Sequence, residues 1–76
     1  MRQRLIVTPD SNGLPCTRVP FHCMWDLVEY LSYQRVVANY QYETSHFTVT
    51  FPRMDTESSQ RILDDWLHAG VELQQA

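Results

Sequence analysis

The chain contains no lysine; its six cationic residues are all arginine, scattered from Arg2 to Arg61. That absence removes a Schiff-base amine and a P-loop lysine from consideration. There is no basic block either, and the formal net charge is −3. Proteins that hold phosphate backbones cluster their cations, so nucleic acid is not an expected partner. Glycine occurs only twice, as Gly13 and Gly70, too seldom for a glycine-rich phosphate loop. The two cysteines, Cys16 and Cys23, are too few for a disulfide framework, and their spacing gives no Cys-x-x-Cys. No apolar run approaches a membrane span. After Met1, only Leu5, Ile6 and Val7 are apolar before Pro9, which is short for a signal-peptide core. The expectation is one soluble, cytoplasmic domain over residues 1–76, with no cofactor and no membrane contact.

What is present indicates a folded chain. The apolar share is 43%, which is ordinary for a globular domain and too high for a disordered one. At 76 residues the domain buries roughly 60% of its unfolded surface, so its core is thin. Chains this short are often supported by a staple or by oligomerisation.

Periodicity places the elements. "RLIVT", Arg4 to Thr8, reads as a short strand ended by Pro9. Residues 9–20 carry three prolines and Asn12-Gly13 and read as a long loop, a length often tied to function. From Phe21 to Arg35, Phe21, Met24, Trp25, Val28 and Leu31 recur at helical spacing with Leu27 beside them, and Pro20 stands at the helix start. Ala38 to Phe51 then alternates as a hairpin about Thr44-Ser45. The alternation sets Tyr40 opposite Val49 and Tyr42 opposite Phe47, with a polar face of Asn39, Gln41, Thr48 and Thr50. Thr-Ser suits a tight primed turn poorly and favours a longer connection. Asp55 to Ala69 reads as a second helix, capped by Asp55 or Thr56, with Ile62, Leu63, Trp66 and Leu67 as its apolar stripe and Gln60, Arg61, Asp64 and Asp65 toward water. Gly70 reads as its stop, and Val71 to Gln74 as a final strand.

This order, β-α-β-β-α-(β), fits a ferredoxin-like α+β sandwich: an antiparallel sheet with two helices on one face. The expected inward set joins Leu5, Val7, Tyr40, Tyr42, Phe47, Val49, Phe51, Val71 and Leu73 to Trp25 and Trp66 of the helices. The stretch from His46 to Leu73, with its strand, helix, glycine and strand, resembles the closing half of small metal-carrying ferredoxin-like domains. Their Cys-x-x-Cys loop is absent here.

Three function classes remain. Arg18, just before a helix start, with Asn39 on a later strand, is similar to the acylphosphatase arrangement. That resemblance implies phosphate binding by these two residues. Cys16, His22 and Cys23 offer thiolate and imidazole ligands for a metal or redox module, although adjacent His22 and Cys23 diverge by about 100° on a helix. The leading expectation is a protein-binding accessory, regulatory or assembly factor without catalysis of its own. Its partner is another protein or a second copy as a homodimer. The expected contact residues are Leu14, Arg18 and Val19 on the loop and Tyr30 and Tyr33 on the helix, since loops and exposed tyrosines supply interfaces.

Overall fold

The computed structural model describes residues 3–75, with side chains described for residues 3–69. Six elements follow one another: β1 (Thr8–Pro9), β2 (Pro15–Val19), α1 (Phe21–Tyr33), β3 (Asn39–Tyr42), β4 (Phe47–Thr50) and α2 (Thr56–Gln75). The four strands form one antiparallel sheet in the order β1-β2-β4-β3. The chain is thus a small α+β domain, but it runs β-β-α-β-β-α. The expected ferredoxin-like order is not the one found.

The difference begins in residues 9–20, which are not a loop. Asp10 closes a tight hairpin there. Its N–H donates to the Leu14 carbonyl, and its own carbonyl accepts from the Gly13 N–H. Its carboxylate accepts from the N–H groups of Asn12 and Leu14 at 2.8 and 2.9 Å. Gly13 takes φ +81°, the left-handed residue that a three-residue hairpin connection requires. β2 then runs between the other strands, pairing Thr17 with Val49 and Val19 with Phe47. Pro15 stands at its first position, where the missing N–H is tolerated, and its carbonyl still accepts from the Phe51 N–H at 2.9 Å.

The expected first strand is correspondingly cut down. Only Thr8–Pro9 pairs with β2. Leu5 and Val7 are buried as expected, but their backbone bonds to a side chain of α2 rather than to a strand. The Gln60 amide Nε2 donates to the Leu5 carbonyl at 2.9 Å, and its Oε1 accepts from the Val7 N–H at 2.8 Å. Gln60 is therefore half-buried and structural, not a water-facing residue.

The β3–β4 hairpin has the expected register, with Tyr40 opposite Val49 and Tyr42 opposite Phe47, and a four-residue connection from Glu43 to His46. Helix α1 ends at Tyr33 in a Schellman arrangement. The Val36 N–H donates to the Leu31 carbonyl and the Arg35 N–H to that of Ser32. Helix α2 is capped by Asp55, whose carboxylate accepts from the Ser58 N–H at 2.7 Å. That hydrogen bond holds its carboxyl below the usual carboxylate range. The helix passes through Gly70 to Gln75, so the expected strand at 71–74 is overturned. An interior glycine costs only about 1 kcal/mol, and Ala, Leu, Glu and Gln around it favour helix. The side chains of Val71 and Leu73, expected in the core, lie outside the described ones.

One core joins the sheet to both helices: Val19, Val49 and Phe51 meet Met24, Leu27 and Leu31 of α1 and Leu63 and Trp66 of α2. Trp25 does not join them; it is 78% exposed. At about 100° per residue it sits roughly 160° around the helix from Leu27. The buried stripe is Cys23, Met24, Leu27 and Leu31, offset from the expected one. Among the described residues, no helix is long and apolar enough to cross a membrane.

Candidate functional site

Two surfaces carry chemistry, and they meet at β3. The first is the helix-free face of the sheet. Strand alternation sends Pro15, Thr17 and Val19 inward and Cys16 and Arg18 outward. Register then aligns Arg18, Thr48 and Gln41 in one cross-strand row, and Thr8, Cys16, Thr50 and Asn39 in the next. A groove of about 710 Å³ opens here between the N-terminal segment and the hairpin tip, lined by Arg4, Cys16, Arg18, Glu43, His46 and Thr48 among others. Arg4 leans on Asp64, Nε to Oδ1 at 3.4 Å. Arg18 is exposed and makes no ion pair among the described residues.

This placement reorganises the expected contact set. Arg18 does lie just before the α1 start, but on an inner strand and not on a loop, and it faces the side of the sheet opposite the helices. It is therefore not aimed at the α1 N-terminus. Asn39 shares its face but belongs to the neighbouring row, two strands away. Val19 is 0% exposed and cannot be a docking contact, because its inward parity makes it a centre of the core. Leu14 is half-buried beside the Asp10 turn. Tyr30 is half-buried and packs on the core, whereas Tyr33 is fully on the surface. The five expected residues thus do not converge on one surface.

Cys16 and Cys23 also part company. Cys16 is half-buried on the open sheet face and Cys23 is buried among the helix contacts of the core, with no bridge between them. Among the described residues, no three His, Cys, Asp or Glu side chains gather as metal ligands.

The second surface is not among those the sequence pattern indicates. Phe21 stacks on Tyr42 with ring centroids 5.4 Å apart, and each meets Phe47 edge-on at 5.3 Å. Trp25 follows Phe21 by one helical turn. Tyr40 and Tyr42, expected inside, are 41% and 71% exposed. They do point to the helix side, but β3 is the sheet's outer strand and α1 covers only part of it. Partial burial still pushes the Tyr40 phenol up, so it remains a neutral hydroxyl at physiological pH. The signal available in the sequence was the excess of apolar residues in the first two turns of α1, more than one stripe can bury.

Among the described residues the outer edge of β3 is open, since β4 pairs it on one side and no strand on the other. The Glu43 N–H donates to the His46 carbonyl at 2.9 Å. By antiparallel alternation, Asn39 and Gln41 also direct their backbone groups toward β4. The N–H and C=O groups of Tyr40 and Tyr42 therefore point away from the sheet.

Compared with protein-family models, with curated proteins and with solved structures, this chain matches none.

Proposed function

We infer that this protein is a small binding module that works by engaging another polypeptide, as an accessory, regulatory or assembly factor without catalysis of its own. One observation carries the reading. Phe21, Trp25, Tyr40 and Tyr42 form an exposed aromatic surface on a chain this small, beside an open strand edge. Large aromatic side chains held in water cost solvation free energy, and Trp and Tyr are the residue types that anchor protein interfaces. The edge adds unpaired backbone donors and acceptors, the means by which a sheet takes up an extended segment of a partner. Arg18 and the polar groove on the other face give a second, wetter contact area. The same reading takes the chain as cytoplasmic, which suits an unbridged, half-buried Cys16.

The test compares wild type with Trp25→Ser/Tyr42→Ser, a pair on the surface whose loss should leave the core intact. Both are first shown to be folded by circular dichroism. Proteins cross-linked to the wild type are identified, purified and titrated. The double variant is expected to bind at least tenfold more weakly, about 1.4 kcal/mol. Equal affinity of the two would remove this surface from the binding site.

A further inference from the structure

We propose that the partner of the β3 edge is a second copy of this chain, paired antiparallel through Tyr40-Gln41-Tyr42 about a two-fold axis at Gln41. This rests on reading the aromatic edge as a protein-binding surface and names its occupant.

The sequence of the edge is the first reason. A two-fold interface brings one patch against itself, so the patch must be self-complementary. Tyr-Gln-Tyr reads the same in both directions. Antiparallel pairing about Gln41 sets Tyr40 of each copy opposite Tyr42 of the other, and Gln41 opposite Gln41. In that register the residues that face each other are those whose N–H and C=O groups point outward. Tyr40 and Tyr42 can therefore exchange both backbone hydrogen bonds across the axis, as alternate residues of an antiparallel ladder do.

The second reason is what the edge lacks. Monomeric proteins blunt exposed strands with lysine, proline, a bulge or a charge. Asn39–Tyr42 has none of these, and its uncharged side chains let two acidic chains meet without like charges in the strand. The opposite sheet edge is treated differently: β1 has two residues, one of them Pro9. Growth from that side is blocked, so pairing at β3 closes as a dimer and does not continue into a fibre.

Area is the third. From their exposures, Phe21, Trp25, Tyr40 and Tyr42 present roughly 450 Å² per copy, taking the usual size of aromatic side chains. Two copies could remove at most about 900 Å² from these four residues, with Gln41 and the flanking edge adding to it, which approaches the about 1,200 Å² of a small stable interface. A two-fold axis normal to the sheet keeps both α1 helices on the same face. Trp25 and Phe21 of each copy then flank the four tyrosines.

The experiment is sedimentation velocity of the full chain over a concentration series, with Gln41→Lys and Gln41→Glu alone and mixed. Gln41 faces the open side of the sheet, so either charge leaves the core untouched; circular dichroism confirms folding. Wild type is expected to be dimeric at about 100 µM, a concentration suited to an interface at the low end of the stable range. Each single variant places like charges directly across the axis and is expected to associate about three- to fivefold more weakly, the effect of a cross-strand pair. An equimolar mixture of the two is expected to recover the dimer. A wild type that stays monomeric at that concentration overturns the proposal. So do variants that dimerise as well as wild type, or a mixture that fails to recover. If the wild type is monomeric while a different purified protein still depends on Trp25 and Tyr42, the binding reading stands and self-pairing alone is lost.

Discussion

Arg35 carries the one positive backbone angle among the described non-glycine residues, φ 56°. It occupies the position that usually takes glycine after a helix, because a Cβ there costs about 1–2 kcal/mol. The capping hydrogen bonds to Leu31 and Ser32 hold it in place, and Val36 packs against the core behind it. Arg35→Gly should relieve that strain while loosening the unfolded chain, for a net gain of about 0.5–1 kcal/mol. Thermal unfolding should show a melting temperature a few degrees higher. An unchanged or lower value would mean that the arginine side chain contributes a contact worth as much as the strain. Gly13 is the converse case. Its φ of +81° is the conformation the Asp10 hairpin needs, and the residue type and geometry agree.

The N-terminal segment shows how one element is fastened by another's side chain. Gln60 offers the Leu5–Val7 backbone one donor and one acceptor, as a neighbouring strand would, and its Nε2 also donates to Asp64 Oδ1 at 3.1 Å. Gln60→Leu keeps the volume but strands a half-buried N–H and carbonyl. A loss of about 1–3 kcal/mol is expected by urea denaturation, with amide exchange at Val7 rising more than in β4. Uniform exchange across the chain would show that the segment is held by Leu5 and Val7 packing alone. This element also marks the limit of what sequence pattern revealed. The hairpin from Asn39 to Thr50 was legible to the residue because two matched alternations fix a register. Residues 15–19 alternate in burial but not in polarity, since Thr17 lies inward and Cys16 outward, and the prolines around them read as turn signals. Those prolines sit at its two ends and on the edge strand, where they do no harm. A loop at residues 15–19 would put Arg18 and Val19 side by side on the surface, whereas a strand sends them to opposite faces. Trp25 departs from expectation for a different reason: Cys23, Met24, Leu27 and Leu31 satisfy helical spacing as well as the stripe through Trp25 does, and the structure buries the former.

At the scale of the whole molecule, one side chain ties the layers together. Trp66 is 0% exposed and the largest fully buried residue, in the cluster where Val19, Phe51, Leu27 and Leu63 meet. Truncating such a residue removes its transfer free energy and leaves a cavity, at a cost of about 3–5 kcal/mol. A single core in a domain of this size supplies little more than about 3–5 kcal/mol in total. There is no disulfide to confine the unfolded chain. Trp66→Ala should therefore be largely unfolded at room temperature, with far-ultraviolet circular dichroism close to that of the urea-denatured wild type. The measurement belongs at about 5 µM or below, where self-association through β3 adds little by mass action. Raising the concentration of the variant should restore part of its helical signal if the β3 pairing forms, because a dimer draws on folded chains only. A cooperative urea transition with a midpoint near that of the wild type, at low concentration, would show that α2 is not what closes the core.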